Sequence, residues 1–293
     1  MTAESALADA PALAAPTPLW RRLVNHHSFV VGATLFGLVV AVALLADVIS
    51  PHDPMRNNFR YRLGAPTEVH WLGTDRAGRD VLSRIIHGSR VSLRIGLMVV
   101  IVTGVMGVVL GGLAGYFRRL DTPIMRTMDA MMAFPGVLLA IAIAAVLGPS
   151  EFNAVIALSV TYTPRTARVM RAAVLVVREM PYIESARAIG EGHARILLLH
   201  VLPNSLTPLV VQLTYVFAIA ILAEAVLSFI GVGPPPPLPT FGNIIADGRD
   251  FVQEAPWVSL FPGLAIAVCV LGLNLIGDGL RDALDPRMKV DLR

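Results

Sequence analysis

Residues 95–117, IGLMVVIVTGVMGVVLGGLAGYF, form an uninterrupted run of 23 residues without a single charged side chain. A helix needs about 20 apolar residues to cross the ~30 Å hydrocarbon core of a bilayer, so this run predicts a membrane-spanning helix. The composition of the whole chain agrees, because 55% of the 293 residues are hydrophobic, only 15% are charged and the mean hydropathy is +0.67. Soluble domains carry about 25% charged residues.

Three glycines recur at every fourth position of this run: Gly107, Gly111 and Gly115. Such a GxxxG repeat lets two helix backbones approach closely. It predicts either a contact with a partner subunit or packing within the chain's own helix bundle. Both interpretations remain open from the sequence.

The segment just before the run, residues 80–94, alternates apolar and polar side chains at helical spacing. This pattern predicts a separate amphipathic helix that lies along the outer membrane surface, with its arginines reaching the lipid head groups. A mistaken topology is the alternative.

Five further apolar runs extend the count of spans to six: residues 29–49, 130–150, 152–177, 206–230 and 255–277. The run at 152–177 is the least uniform, because Arg165, Arg168 and Arg171 follow its uncharged part. The predicted fold class is therefore an all-α integral membrane protein with six transmembrane helices.

The distribution of basic residues predicts that both termini are cytoplasmic. With the N-terminus inside, 15 of the 24 Lys and Arg residues face the cytoplasm, as the positive-inside rule requires. Eight of the other nine lie in one outer loop.

The predicted divisions are a cytoplasmic tail (1–28), a first helix (29–49), an extracytoplasmic loop with the surface helix (50–94), a five-helix core (95–280) with a cytoplasmic loop at 178–205, and a cytoplasmic tail (281–293).

The sequence lacks the residues that many enzymes need. Lys289 is the only lysine, which excludes a Walker A loop, and Cys269 is the only cysteine, which excludes a disulfide or a thiolate metal cluster. The seven histidines contain no HExxH pair, and no GxSxG elbow occurs. We therefore predict a protein that is not an enzyme, with no catalytic residue, no metal site and no bound cofactor.

The loop sequence PYIESARAIGEGHARILLLHVLPN, residues 181–204, predicts a rigid helical lever. A short helix over 182–189 would end at Gly190, which tolerates a positive φ. A second helical stretch over 194–201 would then stop at Pro203, where the next span begins. The short helix would present three small side chains that permit close approach of another surface: Ser185, Ala186 and Ala188.

This loop resembles the EAA loop of ABC importer permeases. The family pattern is EAA, three residues, G, nine residues, I-x-LP, and the matching positions are Glu184, Ser185, Ala186, Gly190, His200, Leu202 and Pro203. Ser185 replaces the first alanine of the pattern and His200 replaces the isoleucine. A histidine at the second of these positions is typical of the dipeptide/oligopeptide (DppC/OppC-like) branch.

Four other segments resemble signatures of the same branch, in the same order along the chain. They are GTDRAGRD at 73–80, ARVMR at 167–171, AEAVLSFIG at 223–231 and NLIGDGLRDALDPR at 274–287.

The resemblance implies a permease subunit with the type I importer fold, located in the cell membrane. It implies a second, DppB-like permease, two ATPase subunits that bind ATP and Mg²⁺, and an extracytoplasmic substrate-binding protein. The cargo would be di- or oligopeptides or related small solutes. The residues expected to couple the chain to the ATPases are Glu184, Ser185, Ala186, Arg187, Gly190, His200, Leu202 and Pro203.

Four charged residues within the spans are candidates for the pathway or its gates. Glu224 lies about 27 Å along a helix that starts at residue 206, which places it near the outer surface. It is predicted either to gate the pathway across the subunit interface or to be solvated by interfacial water. Arg165, Arg168 and Arg171 would line the inner mouth of the pathway or anchor their helix to anionic lipid.

Two other classes of protein are alternatives to a permease subunit. A secondary transporter usually carries carboxylates near the membrane midplane and often shows inverted repeats. The candidate carboxylate of this chain is Glu224, which is predicted to lie away from the midplane. A membrane-embedded enzyme would need a nucleophile with a base, or a metal centre, which the sequence pattern does not predict.

Overall fold

The computed structural model describes residues 19–284, so most of both predicted terminal tails lies outside the described residues. The helices in chain order are α1 (Leu19–Asn25), α2 (His27–Leu44), α3 (Ala46–Ile49), α4 (Val81–Tyr116), α5 (Arg118–Met132), α6 (Gly136–Leu147), α7 (Glu151–Val177), α8 (Pro181–Ala188), α9 (His193–Arg195), α10 (Leu202–Ile230), α11 (Phe241–Gly248) and α12 (Trp257–Leu284). A π-helical turn, Ile196–Val201, joins α9 to α10.

Four long helices, α4, α7, α10 and α12, form the core of the bundle. Apolar side chains of α4, α6, α7 and α10 share one buried cluster, which includes Val99, Leu158 and Ala220. The first long helix, α2, packs on the outside of α12, where a Cβ on Gly32 would lie only 2.7 Å from the Gly272 carbonyl oxygen. Close backbone contact of this kind compensates for the weak hydrophobic force between helices in lipid.

Helix α4 is longer than a bilayer is thick, and it includes without a break the residues predicted to form a separate surface helix. Its 36 residues extend for about 54 Å, against ~30 Å of hydrocarbon. Residues 81–94 are the first turns of this one helix, so the prediction of a separate amphipathic helix on the membrane surface is wrong. The polar face of these turns contacts folded protein, as Arg84 illustrates with only 2% of its surface exposed.

The predicted span at 130–150 is not one straight helix. The chain bends by 90° between α5 and α6, and α6 has only 12 residues. Pro135 precedes α6 and has no N–H to donate, and it disfavours helical geometry at the residue before it. The apolar run is therefore divided between the end of α5 and a short helix that packs on α7.

The helix predicted to begin after Leu202–Pro203 in fact begins ten residues earlier. The chain is continuously helical from residue 193 to residue 230, so Pro203 neither stops a helix nor restarts one. Pro203 lacks an N–H and therefore cannot donate a hydrogen bond to the preceding turn. That turn widens into the π-helical turn at Ile196–Val201.

Within the described residues, four helices are long and apolar enough to cross a membrane: α2, α4, the 193–230 helix and α12. The number rises to five if the bent pair α5–α6 counts as one broken span. Helix α7 has the length, with 27 residues, but carries the three arginines noted above. The all-α membrane fold agrees with the prediction, whereas the count of six and the orientation remain predictions.

Candidate functional site

The short helix α8 is fixed to the bundle by one face and leaves the other exposed. Ile183 and Ala186 are buried in a cluster with Val174 and Ile196, which come from α7 and the π-helical turn. The opposite face exposes Ser185 and Ala188, together with the large side chains of Tyr182 and, just beyond the helix, Ile189. The predicted helix is present within one residue of its expected bounds, but Ala186 packs inward and is not part of the exposed small-residue face.

The turn after α8 has the backbone geometry that the sequence predicts. Gly190 adopts a φ of +83°, a left-handed conformation that residues with a Cβ rarely adopt. Glu191 then closes the turn, because its two carboxylate oxygens lie 2.9 Å from Arg195 Nε and 2.9 Å from His200 Nε2. His200 is therefore placed by its contact with Glu191.

The remaining residues of the predicted coupling set lie around this turn. Glu184 and Arg187 are exposed, and Arg187 Nη2 donates a 3.4 Å hydrogen bond to the Arg178 carbonyl oxygen. Leu202 packs against Gly112 of α4, where a Cβ on that glycine would be 3.0 Å from Leu202 Cδ2. Pro203 is exposed at the start of α10.

Two of the three α7 arginines pair with carboxylates of α5. Arg171 donates to both oxygens of Asp121, with the Nη2–Oδ2 contact at 2.6 Å, and Arg168 pairs with Asp129. These ion pairs attach the polar helix α5 to α7, and they neutralise two charges on α7. The sequence left two interpretations open for these arginines, lining the inner mouth of the pathway or anchoring the helix to anionic lipid. Ion pairing with α5 is neither of these.

Arg165 faces a cavity instead. Its guanidinium carbon lies 4.7 Å from the centre of the Tyr215 ring, a cation–π distance. Both residues line a cavity of about 570 Å³ between α7, α10 and α12, together with Gln212, Asn274 and Asp278. The cavity is mixed in character, with both charge signs, an amide and an aromatic ring, which are the groups that could contact the charged ends of a zwitterionic solute.

Glu224 is fully buried within the chain, with 0% of its surface exposed, so the interpretation as a solvated interfacial carboxylate is wrong. It accepts hydrogen bonds from the hydroxyl groups of Ser92 on α4, at 2.8 Å, and of Ser228 on its own helix, at 2.6 Å. The carboxylate therefore joins α4 to α10. A role in gating stays a prediction.

The three glycines of α4 lie against α7 of the same chain. A Cβ on Gly107 would be 2.5 Å from Thr166 Cγ2, and one on Gly111 would be 2.4 Å from the Ala167 carbonyl oxygen. A Cβ on Gly115 would be 2.7 Å from Val174. Packing within the bundle, the second interpretation above, is correct, and the assignment of these glycines to a partner-subunit interface is wrong.

The sequence patterns do not predict a buried ionic network that forms in the loop over residues 51–94. Asp75 is fully buried and pairs with Arg79, at 2.7 Å, and with Arg84. Asp247 of α11 contacts the same two arginines, at 2.7 Å and 2.9 Å, and also Arg76, at 3.0 Å. The available signal was the excess of arginine in residues 51–94, which ion pairing explains better than contact with lipid head groups.

The same loop brings together three residues that are far apart in sequence and whose side chains can bind a metal ion: His52, His70 and Asp80. Their spacing matches no short motif. The prediction of no metal site rested on such motifs alone.

A bundle of long apolar helices with a short exposed helix on a loop at one end is consistent with a membrane transport subunit. The chain belongs to the family of inner membrane components of binding-protein-dependent transport systems, whose family model matches residues 107–290. A second family model, the N-terminal transmembrane domain of oligopeptide transport permease C, matches residues 18–66. The chain is therefore a multi-pass inner membrane permease subunit of an ABC importer, a non-catalytic class in which separate subunits hydrolyse ATP.

Similar proteins agree with this assignment over nearly the whole chain. A relative from Brucella abortus biovar 1, provisionally named a peptide transport system permease protein, is 50% identical over 92% of each chain. The dipeptide transport system permease protein DppC of Alkalihalophilus pseudofirmus is 44% identical over 92% of this chain and 89% of its own. The di/tripeptide transport system permease protein DppC of Pseudomonas aeruginosa is 42% identical over 97% of each chain. The resemblance to DppC/OppC-like permeases is thus confirmed.

The fold also matches a solved structure at low sequence identity. An inward-facing conformation of the MetNI methionine ABC transporter has a TM-score of 0.57 and 20% identity, and the match covers 69% of this chain and 97% of the other.

Proposed function

We propose that this chain forms, with a second DppB-like permease, the pathway for di- or oligopeptides or related small solutes. Two ATPase subunits, which bind the ATP and Mg²⁺, would drive it, and an extracytoplasmic binding protein would deliver the cargo. The peptide class rests on the names of the relatives. The observation that carries the coupling mechanism is the exposed helix α8 on a rigid base.

The base of α8 is built to transmit displacement. Ile183 and Ala186 fix the helix to a cluster that includes Ile196 and Leu197, which are buried in the π-helical turn. Since the chain is helical without a break from residue 193 to residue 230, a shift of α8 acts directly on α10. Gln212 and Tyr215 of α10 line the 570 Å³ cavity, so the same displacement would reshape this part of the proposed pathway.

The proposed topology has six spans with both termini in the cytoplasm. It requires α7 to cross the membrane despite its arginines, and two of these are neutralised by Asp121 and Asp129. Outside, Glu151 at the start of α7 pairs with Arg94 at 2.6 Å. These pairs lower the cost of placing α7 in the membrane, which supports the sixth span.

The coupling role is tested by Gly190→Val, with Gly192→Val as the matched control in the same loop. Neither glycine has atoms within 4 Å of its Cβ position, but only Gly190 has a positive φ. We expect Gly190→Val to reduce peptide uptake by at least about tenfold and to weaken copurification of the ATPases, at unchanged abundance in the membrane. Equal uptake by the two variants would contradict the proposal.

The orientation is tested by cysteine labelling in a Cys269→Ala background, since Cys269 is the sole native thiol and is buried. Val69→Cys places a thiol at a position that is 62% exposed on the outer loop, and Arg119→Cys places one at an exposed position of α5. A membrane-impermeant maleimide should label the first in intact cells and the second only in opened cells. The reverse pattern would overturn the orientation.

A further inference from the structure

Three side chains of the outer loop converge on one point, outside the pathway and the coupling helix. His70 Nδ1 lies 2.9 Å from Asp80 Oδ1, and His52 Nδ1 lies 3.8 Å from the same oxygen. The centres of the two imidazole rings are 4.7 Å apart. One ligand atom from each of the three residues fits within a 4.8 Å span.

These separations suit a tetrahedral metal ion. Zinc binds imidazole nitrogen and carboxylate oxygen at about 2.0–2.2 Å, so neighbouring ligand atoms lie about 3.3 Å apart. The separations of 2.9 Å and 3.8 Å lie on either side of this value. Two imidazoles and one carboxylate form a ligand set that zinc uses, with a fourth position left for water.

The surroundings orient the ligands and leave one of them without another role. His52 Nδ1 is buried and has no hydrogen-bond partner. The other oxygen of Asp80, Oδ2, accepts hydrogen bonds from the backbone N–H of Ser83, at 2.8 Å, and from its hydroxyl, at 2.7 Å. Oδ1 is thereby directed toward the two histidines, as outer hydrogen bonds typically direct a metal ligand.

The cluster is accessible from outside the chain. His52, His70 and Asp80 line a cavity of about 400 Å³, together with Asp53 and Arg56. The carboxylate of Asp53 favours the approach of a cation, and the Arg56 guanidinium opposes it. The cavity has room for the metal's water ligand.

We propose that His52, His70 and Asp80 bind one divalent transition-metal cation, Zn²⁺ in the first instance, through two imidazole nitrogens and one carboxylate oxygen. The three ligands come from the segment after α2, the middle of the outer loop and the residue that caps the N-terminus of α4. A bound ion would therefore tie the loop to the outer end of α4. This site is independent of the cargo and of the coupling mechanism.

The test is zinc titration of the full-length chain, purified in detergent with an affinity tag that contains no histidine and stripped with a chelator. We expect one Zn²⁺ per chain by calorimetry. His52→Ala removes a ligand whose Nδ1 makes no hydrogen bond, and Asp80→Asn keeps an oxygen that can cap α4. Each should weaken binding by at least about 100-fold, the upper end of the effect of losing an outer-shell partner. The exposed His27 supplies the control, His27→Ala, which should bind as the unmodified chain does.

A second measurement distinguishes a specific metal site from nonspecific metal binding. Co²⁺ in place of Zn²⁺ should give the intense visible bands of four-coordinate cobalt, and these bands should be absent in His52→Ala. Zinc should also raise the apparent Tm of the unmodified chain and of His27→Ala, but not of His52→Ala. The proposal is overturned if the unmodified chain binds no zinc, or if His52→Ala and Asp80→Asn bind it as tightly as His27→Ala does.

Discussion

The buried ionic network of Asp75, Arg79, Arg84 and Asp247 should make Asp247 important for stability. Asp75 and Asp247 balance Arg79 and Arg84, and three of these four side chains are no more than 10% exposed, with Asp247 at 13%. Asp247→Asn would leave one carboxylate to balance the two buried guanidinium groups, and it would also remove the carboxylate that the exposed Arg76 contacts. The variant therefore buries an uncompensated positive charge.

The expected loss follows from the burial of the network. Removing one partner of a buried ion pair costs about 3–5 kcal/mol, and the partial exposure of Asp247 favours the lower end. For a chain of this size, about 1 kcal/mol corresponds to about 2–4 °C in Tm, so a loss of about 3 kcal/mol predicts a drop of about 6–12 °C. The measurement is the apparent Tm in detergent, from the fraction of protein that stays monodisperse in size-exclusion chromatography after heating.

Asp250→Asn is the matched control, because Asp250 is 67% exposed and pairs only at 3.5 Å with its neighbour Arg249. An exposed pair contributes at most about 1 kcal/mol, so this variant should lose no more than about 4 °C. The double variant Arg79→Gln, Asp247→Asn leaves Asp75 paired with Arg84, and should lose less than the sum of the two single variants. Equal losses for Asp247→Asn and Asp250→Asn, or strict additivity in the double variant, would refute the charge-balance argument.

Three further variants test the packing of the bundle. Gly111→Val should reduce the yield of folded protein several-fold, because its Cβ would lie 2.4 Å from a carbonyl oxygen of α7; Gly37→Val, with no atoms within 4 Å, is the control, and equal yields would contradict the contact. Glu224→Leu leaves two buried hydroxyl groups without their acceptor, at about 1–3 kcal/mol each, so it should lower the apparent Tm more than Glu224→Gln does; the opposite order would exclude the proposed link between α4 and α10. Arg171→Met should free Asp121 and increase amide hydrogen exchange in α5, and unchanged exchange would mean that the pair does not hold the helix.

The sequence predicts those features that depend on local chemistry. Uncharged runs locate α2, α4, α10 and α12, because backbone groups in lipid must be satisfied within a helix. The bounds of α8 and the positive φ of Gly190 also follow from local signals: a proline at the start of the helix and a glycine after it.

Contacts between distant segments do not follow from such signals. An amphipathic pattern shows that one helix face meets a polar environment, but a lipid surface and a folded loop produce the same pattern. For this reason residues 81–94 are consistent with a surface helix, although Arg84 contacts Asp75 and Asp247. The acidic partner Asp247 lies far along the chain, in α11, where no local motif connects it with the outer loop.

The prolines show why the number of membrane spans is harder to predict from the sequence than the position of the apolar runs. Besides Pro203, four prolines of the described residues lie inside helices without ending them: Pro123, Pro164, Pro208 and Pro262. Pro135, in contrast, coincides with a 90° bend. Helix α5 has already ended at Met132, and Pro135 is the N-cap residue of α6, where its restriction on the preceding residue keeps the two helices from joining. A proline alone loses one hydrogen bond, which neighbouring turns can absorb, as the π-helical turn before Pro203 does. The position of a proline relative to the helix ends therefore decides whether an apolar run stays one helix, as at Pro262, or is divided, as at Pro135, and hydrophobicity averaged over a window of that length cannot register the difference.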